Sequence, residues 1–330
     1  MSADVVLTAD IGGTNATFGV YRLTKDRPEQ LRLVRKPTQH TQLLTTLKEE
    51  LAAAERAYGP VTEACLSVAG PITLRDGKRH VAMTNASWVV DEGALLAQTR
   101  LKRILILNDF QAIGYATNIL QEGEYRIIQG ARGGSQRGQR ACIGAGTDFG
   151  KCILYEQNGV YHALDTEGGT ADLPLYDEED LALAQFIIKE EGRTAQLCEG
   201  DLLSGRGLER IYRFLSTHFP DEPQALDAQG ITATRTTNAC SAATLALFVK
   251  HYARAARNYV FNAGAWNGLY IAGGIARRIP ELFSEAFLEE FLRVGRFQHV
   301  LAQVPLFLIT NYDISTVGAA YALAVTEVVQ

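Results

Sequence analysis

A short segment near the N-terminus combines a carboxylate, two adjacent glycines and a hydroxyl, residue types that can hold a phosphate and its metal ion. Residues 10–15 (DIGGTN) follow the apolar run 5–7 and precede an alternating run over 17–21, which predicts strand, tight turn and strand. Backbone amides around glycines form a concavity suited to phosphate, and Asp10 could hold a hydrated Mg²⁺. An ordinary hairpin connection is the alternative, because Gly-Gly is a common connector.

A second glycine turn opens the other half of the chain. Residues 144–147 (GAGT) follow the apolar pair Cys142 and Ile143 and precede a further strand pattern over 151–155. Each half runs strand, glycine turn, strand, strand, and then alternates helices with strands. The repeat predicts an α/β fold of two βββαβαβα units, with the two phosphate turns facing each other across a cleft.

Periodicity and turn signals predict the remaining elements. Helices are expected over 40–58 with Thr41 as N-cap, 91–98 with Asp91 as cap, 112–120, 178–190, 207–215, 241–262, 280–292 and 316–328. Strands are expected over 31–34, 64–68, 81–83, 104–107, 159–164, 268–272 and 306–309. The pairs Asp76-Gly77 and Asn158-Gly159 predict hairpin turns.

A carboxylate follows the buried strand pattern over 104–107, which is apolar throughout and therefore typical of a central parallel strand. Open α/β sheets place ligands at the carboxyl ends of such strands, where Asp109 would lie. Phosphoryl transfer to an alcohol needs positioned phosphates, Mg²⁺ and one carboxylate near the attacking hydroxyl. Asp109 can equally serve as the N-cap of the following helix.

Bulk properties exclude several classes of function. The chain has 330 residues, 47% hydrophobic, with a formal net charge of -5, so it offers no basic field for nucleic acid or an anionic membrane. Its five cysteines form no C-x-x-C pair, which predicts reduced, mostly buried thiols. No signal peptide and no bilayer-spanning run is visible. We therefore expect a cytoplasmic protein that binds neither nucleic acid nor membrane.

Eight ordered blocks, spread over nearly the whole chain, resemble those of a known family. The blocks are ADIGGTN at 9–15, AGPI at 69–72, MTN at 83–85 with Trp88, LNDF at 107–110, GAGT at 144–147, EGG at 167–169, LSG at 203–205 with Gly207 and Leu208, and IAGGI at 271–275. With these blocks the chain resembles the bacterial glucokinases, in the superfamily of sugar kinases, Hsp70 and actin.

The resemblance implies roles at the sugar. Asp109 would be the general base for the sugar 6-hydroxyl, Asn108 would bind neighbouring hydroxyls, and Glu167 would accept a hydroxyl of the ring. The implied substrate-binding residues are Asn85, Asn108, Asp109, Glu167, Thr170 and Glu199.

The resemblance also implies ATP and Mg²⁺. The implied nucleotide-binding residues are Ala9, Asp10, Ile11, Gly12, Gly13, Thr14, Asn15, Gly144, Gly146, Thr147, Gly273 and Gly274. Asp10 would hold Mg²⁺ through water, and Gly273 with Gly274 would open a helix beside the adenosine.

The fold implied by the resemblance is a duplicated ribonuclease H-like (actin-like ATPase) fold with a cleft between its domains. The expected domains are 1–109, joined by the C-terminal helix 315–330, and 110–314. A homodimer is expected because many members of the family are dimers.

Three positions depart from the family pattern. Thr170 replaces the histidine that commonly follows Glu-Gly-Gly, and its shorter side chain would leave buried sugar groups without a partner. Gly200 stands where the family has an acid, and the adjacent Glu199 could substitute through a shifted turn. Asp148 stands where the family has glycine. A carboxylate beside a phosphate is unfavourable unless a cation offsets it or its side chain points away.

The resulting hypothesis is an ATP-dependent hexose kinase that converts D-glucose to glucose 6-phosphate in glycolysis. One alternative is a kinase for another hexose or a modified sugar, favoured by Thr170 and Gly200. Another is a non-catalytic sugar sensor, although a sensor has no need of a base at Asp109. A transcriptional regulator would need a DNA-binding domain, and a polymerising ATPase would have no use for the blocks at 107–110 and 167–169.

Overall fold

The computed structural model describes residues 4–38, 42–83, 88–130 and 138–326. Its strands are β1 (Val5–Ile11), β2 (Asn15–Arg22), β3 (Glu29–Pro37), β4 (Val61–Val68), β5 (Thr73–Arg75), β6 (Lys78–Ala82), β7 (Val89–Asp91), β8 (Arg103–Asn108), β9 (Tyr125–Gln129), β10 (Arg140–Ala145), β11 (Phe149–Gln157), β12 (Val160–Thr166), β13 (Leu269–Ala272) and β14 (Leu306–Ile309).

The helices include one of 25 residues, α8, and several of only four to eight. They are α1 (Leu43–Tyr58), α2 (Glu92–Gln98), α3 (Asp109–Ala116), α4 (Glu178–Glu190), α5 (Glu199–Leu202), α6 (Gly205–Ser216), α7 (Ala228–Ala233), α8 (Ala239–Ala263), α9 (Gly274–Arg278), α10 (Glu285–Leu292), α11 (Gln298–Leu301) and α12 (Ile314–Val325).

Contacts divide the chain into two compact units. The first comprises Met1–Glu122, Leu154–Asp165 and Asn311–Gln330, and the second comprises Gly123–Ile153 and Thr166–Thr310. The predicted domain boundaries, 109 and 315, differ from the limits of these units and stay a prediction about domains.

The first unit is organised by a five-stranded sheet with the order β3-β2-β1-β4-β8. β1, β4 and β8 are parallel, and Ile11, Val68 and Asn108 lie in one row across them. The carboxyl ends of these three strands therefore meet at one edge of the sheet. β8 is parallel as expected but lies at the side of the sheet, not at its centre. The sequence of β8 is apolar because both faces of the strand are covered by other parts of the protein. The Arg79 guanidinium donates to the carbonyl of Ile106 on that strand.

Two helices of the first unit pack closely behind this edge. α3 follows β8 directly, and α12 contacts α3, β1 and β4. A Cβ at Gly318 would stand 1.9 Å from the carbonyl oxygen of Ala112, so only glycine permits this approach of α12 to α3. The last helix thereby fixes the start of α3.

A second sheet repeats the topology. It has the order β12-β11-β10-β13-β14-β9, in which β10, β13 and β14 are parallel and β9 is antiparallel. The first five strands reproduce the spatial order of the first sheet, which confirms the duplicated fold predicted from the sequence. β9 is an addition at the side of the second sheet, and no sequence pattern had predicted it.

Many local predictions are confirmed. α4 and β14 have the predicted bounds, and Asp91 caps α2 by accepting from the amide of Ala94 at 2.8 Å. Both residues of each predicted hairpin turn have positive φ, as a type I′ turn requires: Asp76 (49°) and Gly77 (72°), and Asn158 (53°) and Gly159 (81°). Four cysteines are buried and Cys198 is partly buried.

Other local predictions are wrong or untested. The helix predicted over 280–292 is broken into a 3₁₀ turn (Pro280–Leu282) and α10. The helix predicted over 112–120 begins at Asp109 and ends at Ala116, because Asn108 supplies the cap. The strand β7 and the short helices α5, α7 and α11 were not predicted. Thr41, the predicted cap of α1, lies outside the described residues, and Gln42 occupies the N-cap position.

Candidate active site

The first glycine turn joins β1 to β2, and neighbouring backbone closes it tightly. The Gly12 amide donates to the carbonyl of Asn15 at 3.0 Å, and the Thr38 amide donates to the carbonyl of Thr14 at 3.0 Å. The Thr38 hydroxyl donates to the carbonyl of Gly13 at 2.8 Å. Within the described part of the chain, the amides of Gly13 and Thr14 donate to no carbonyl or side chain. These amides are the donors that could meet an anion.

Asp10 is the next-to-last residue of β1, and its carboxylate has a hydrogen-bond partner from the far end of the chain. The Ser315 hydroxyl, at the start of α12, donates to Oδ2 of Asp10 at 2.5 Å. Ser315 is buried, with 4% of its surface exposed. The serine therefore fixes the orientation of the Asp10 carboxylate from behind.

Asn108 and Asp109 divide two tasks at the end of β8. Asn108 is the N-cap of α3: its side-chain oxygen accepts from the amide of Phe110 at 2.8 Å, and its own amide donates to Gln111 Oε1 at 2.9 Å. Asp109 is the first helical residue, and its Oδ1 also accepts from Phe110 at 2.9 Å. The capping role considered for Asp109 thus belongs to Asn108, and both residues remain half-exposed.

The sheet register brings Asp10 and Asp109 to the same edge. Ile11 and Asn108 lie two strands apart in one row, and two strand spacings are about 10 Å. Each carboxylate is adjacent in sequence to one of these residues. The edge of the first unit therefore carries two carboxylates and a nest of backbone amides.

The second glycine turn joins β10 to β11 and is held by the start of α6. The Gly146 amide donates to the carbonyl of Asp148 at 2.9 Å, and the Gly205 amide donates to the carbonyl of Gly146 at 3.0 Å. Ser204 caps α6 by accepting from the amide of Gly207 at 3.1 Å. Among the described residues, Thr147 donates its amide to none, and its side chain is exposed.

Gly273 is required by the same turn. It has φ +93°, and a Cβ there would stand 2.5 Å from the carbonyl oxygen of Ala145. α9 begins at Gly274, as predicted, with open space around the Cα of that residue. Gly273 therefore allows the backbone after β13 to pass directly behind the second turn.

The segment 167–170 forms a 3₁₀ turn over β11. A Cβ at Gly169 would stand 1.9 Å from the carbonyl oxygen of Phe149, so the turn lies against the strand. Glu167 and Thr170 are exposed. The Thr170 hydroxyl donates to the carbonyl of Glu167 at 2.6 Å. This hydrogen bond lies within the 167–170 turn and helps to close it.

Glu199, the predicted substitute for an acid at position 200, lies in a buried ion pair. Its carboxylate accepts from the Lys151 ammonium, and the two side chains are 5% and 4% exposed. Burial raises the pKa of Glu199, and the attraction of Lys151 acts in the opposite direction. Lys151 also lies 4.9 Å from the ring centroid of Tyr259. The predicted contact of Glu199 with a substrate stays a prediction.

Two supporting residues were missed by sequence reasoning, and one predicted residue cannot be placed. Ser315 had no sequence signal, because its partner Asp10 is 305 residues away. Lys151 had a weak signal, as a lysine within an otherwise apolar strand pattern. Asn85 lies outside the described residues. Residues Ala9 and Ile11 are buried β1 positions that support the first turn, and Gly144 ends the pairing of β10 with β13.

The duplicated sheets and their paired glycine turns define the class of actin-like ATPase and sugar-kinase folds. A family model described as Glucokinase matches residues 7–326. The chain therefore belongs to the glucokinase family, and it is an enzyme of the kinase class.

Curated relatives match over nearly their full length. The glucokinase of Psychromonas ingrahamii is 31% identical, with 96% of this chain and 95% of the relative covered. The glucokinase of Nostoc punctiforme is 28% identical, with 97% and 99% covered.

Solved structures show the same fold. A glucokinase from an Antarctic psychrotroph has a TM-score of 0.84 and 28% identity, covering 98% of this chain and 99% of that chain. A ROK family glucokinase from Streptomyces griseus, in complex with glucose and AMPPNP, has a TM-score of 0.64 and 16% identity over 96% and 98% of the chains, and so shares the fold alone. No helix in the described ranges is long and apolar enough to cross a membrane.

Proposed function

We propose that this chain transfers the γ-phosphoryl group of ATP to the 6-hydroxyl of D-glucose, which gives ADP and glucose 6-phosphate, the form of glucose that enters glycolysis. The observation that carries the proposal is the placement of Asp109 at the start of α3, at the same sheet edge as the Asp10 glycine turn. Membership of the glucokinase family supports it over residues 7–326.

Asp109 is proposed as the general base. Its carboxylate accepts the proton of the 6-hydroxyl as that oxygen attacks the γ-phosphorus, and the bond to ADP breaks. The Asn108 cap fixes the first turn of α3, and the approach of α12 at Gly318 fixes its other side. The base is therefore held by rigid elements, as efficient proton transfer requires.

The two glycine turns are proposed as the phosphate-binding elements. The amides of Gly13 and Thr14 in one unit, and of Thr147 in the other, are the donors that neighbouring backbone leaves available. Preorganised amides stabilise the charge that spreads over the transferred phosphoryl group. Gly273 and Gly274 are proposed to pass beside the adenosine.

Asp10 is proposed to hold Mg²⁺ through water. The donor set fits this metal, because Mg²⁺ keeps several waters and binds one or two carboxylates together with substrate phosphates. A cluster of three or more ligating side chains is not needed, and none occurs among the described residues. When bound, Mg²⁺ would neutralise phosphate charge, and Ser315 keeps the Asp10 carboxylate in place for it.

The sugar is proposed to contact Asn85, Asn108, Asp109, Glu167, Thr170 and Glu199. Glu167 is exposed and can accept hydrogen bonds from hydroxyl groups. Thr170 has committed its proton to the Glu167 carbonyl, so toward a sugar it can act only as an acceptor while that bond persists. This observation favours a second candidate, a kinase that prefers another hexose or a modified sugar.

On the basis of the family resemblance, we also propose a cytoplasmic homodimer with domains 1–109 plus 315–330 and 110–314, without nucleic-acid or membrane partners. Light scattering coupled to size-exclusion chromatography measures the oligomeric state. A monomer at micromolar concentration would contradict the dimer.

The proposed function is tested with a panel of sugars. Purified protein is assayed with ATP and Mg²⁺ on glucose, mannose, galactose, fructose and N-acetylglucosamine, with ADP release as the readout and ³¹P NMR to locate the phosphate. We expect glucose 6-phosphate from glucose with the highest kcat/KM of the panel. A higher kcat/KM on another sugar would favour the second candidate, and no turnover on any hexose would contradict both.

A further inference from the structure

Asp148 follows the second glycine turn, and its carboxylate is held in one orientation. Its Oδ1 accepts from the amide of Phe149 at 2.8 Å. Its backbone carbonyl accepts from Gly146 at 2.9 Å, and Gly146 is in turn held by the amide of Gly205. The residue is nonetheless exposed, so solvent or a ligand can reach this fixed carboxylate.

The Asp148 carboxylate occupies the space that a side chain at position 200 would fill. A Cβ at Gly200 would stand 2.4 Å from Oδ1 and 3.5 Å from Cγ of Asp148. Gly200 lies in α5 and its φ is not positive, so an alanine there would be acceptable to the backbone. Glycine at 200 therefore makes room for the Asp148 carboxylate in its observed position.

The same space borders the turn that carries Glu167 and Thr170. The carbonyl oxygen of Gly169 lies 3.4 Å from the Cβ position of Gly200. Asp148 thus extends from the glycine turn toward the 167–170 segment. A carboxylate aimed at phosphate would be repelled by it, whereas a carboxylate near the 167–170 turn can accept hydrogen bonds from hydroxyl groups.

Glu199, an acid adjacent to Gly200, is already engaged. Glu199 is buried with Lys151, and their side chains are 5% and 4% exposed. Releasing Glu199 to a ligand would leave the Lys151 ammonium buried without its counter-charge, which is costly. Asp148 is therefore more available to a ligand than Glu199, because its carboxylate is held in place and is also accessible.

We propose that Asp148 is a specificity-determining residue for the sugar: its carboxylate accepts a hydrogen bond from one ring hydroxyl of the hexose, in the space that Gly200 leaves open. The proposal rests on the proposed function, since it names a contact of the same substrate. Wild-type turnover of hexoses tests that function, and the comparisons below test Asp148 alone.

The first experiment is a steady-state comparison of Asp148→Asn with the wild type. Loss of a hydrogen bond between a hydroxyl and a charged group should raise KM for glucose by about 10- to 100-fold, while KM for ATP stays within about twofold. Asp221→Asn, the same change at another exposed aspartate of the second unit, is the control and should leave both constants unchanged. A change in KM for ATP without a change in KM for glucose would overturn the proposal.

The second experiment identifies the hydroxyl. The wild type and Asp148→Asn are assayed on glucose and on its 1-, 2-, 3- and 4-deoxy analogues. One analogue should lose kcat/KM strongly with the wild type but little further with the variant, because the missing hydroxyl and the missing charge belong to one contact. Independent, multiplicative effects for all four analogues would overturn the proposal.

The third experiment tests the role of Gly200 by a double-mutant cycle. Gly200→Ala should displace the Asp148 side chain and raise KM for glucose about as much as Asp148→Asn. In the Asp148→Gly background, the same alanine meets no carboxylate and should change KM for glucose by less than about twofold. An equal effect of Gly200→Ala in both backgrounds would show that position 200 acts without Asp148 and would overturn the coupling. Circular dichroism and thermal unfolding confirm that each variant is folded.

Discussion

The two glycine turns occupy equivalent places in two sheets of the same strand order, but the chain supports them by different means. In the first unit, a neutral hydroxyl from Ser315 fixes Asp10, and a close helix contact at Gly318 fixes α3. In the second unit, the turn is held by the start of α6 and by Gly273. The segment 167–170 packs against Lys151 of the buried Lys151–Glu199 pair, because the Cβ position of Gly168 lies 2.9 Å from a side-chain carbon of Lys151.

The two units also differ in where their acidic residues stand. In the first unit the acid precedes the glycine pair, and a second acid begins a helix at the same edge. In the second unit the acid follows the turn and extends toward Gly200. The two sheets therefore share the position of the glycine turn, whereas their charged residues stand at different positions.

The largest effect is expected from the first unit's proposed base. Asp109→Asn should lower kcat by about 10²- to 10⁴-fold, the usual contribution of a positioned acid or base, with KM for ATP little changed. Steady-state kinetics measure the effect, and Asp76→Asn is the control, because Asp76 is an exposed turn residue whose positive φ asparagine also adopts. A variant within threefold of the wild-type kcat would mean that the base lies elsewhere.

The next effect concerns stability at the α12–α3 contact. Gly318→Ala places a methyl group 1.9 Å from a carbonyl oxygen, and overpacking of this kind costs about 1–3 kcal/mol. Thermal unfolding should show a lower Tm than the wild type. Gly93→Ala in α2 is the matched control, since its nearest neighbour would be 3.5 Å away, and it should keep or raise the Tm. Equal Tm values for the two variants would contradict the packing argument.

A smaller effect is expected from the hydroxyl behind Asp10. Ser315→Ala should lower kcat/KM about 5- to 20-fold and raise the Mg²⁺ concentration needed for half-maximal rate, because a hydrogen bond to a charged group is lost. Titration of Mg²⁺ at fixed ATP measures both quantities. Ser216→Ala removes a buried helical hydroxyl that serves only a carbonyl and should change neither. An unchanged Mg²⁺ dependence for Ser315→Ala would separate Asp10 from the metal.

The last effect concerns the charges buried in the second unit. Burial lowers the pKa of His251 to about 4 from 6.5, although the buried Asp180 carboxylate, 3.5 Å away, favours the charged form. Between these values the unfolded chain binds more protons, so the free energy of unfolding falls as the pH drops from about 6.5 to about 4. This loss should be about 1–3 kcal/mol.

His251→Gln should make that pH dependence shallower, and urea unfolding at pH 4.5, 5.5, 6.5 and 7.5 measures it. Lys250 and Arg254 also face Asp180 and remain in the variant, so the slope and not the absolute stability is the readout. His218→Gln, at an exposed histidine, should keep the wild-type slope. Equal slopes for all three proteins would show that folding does not lower the pKa of His251.

The sequence predicted well those turns, caps and helix ends that depend on interactions between residues close together in the chain. The hairpin turns at Asp76-Gly77 and Asn158-Gly159 need positive φ, which those residue types tolerate. The Asp91 cap and the bounds of α4 follow from side-chain hydrogen bonds and periodicity within a few residues. The strand β9 escaped prediction because a short side strand becomes one only by pairing with β14. The placement of β8 escaped for a similar reason, since an apolar run reports covered faces and not neighbouring strands.

The sequence by itself determined the two glycine turns, the helices and strands around them, and the resemblance that identifies the family. The tertiary structure alone decided which side chains support those turns: Ser315 behind Asp10, Asn108 rather than Asp109 as the cap, Lys151 beneath Glu199, and Asp148 in the space beside Gly200. The physical reason is that turns and caps depend on a few adjacent residues, whereas ion pairs and close contacts between distant segments exist only after the chain has closed its long loops.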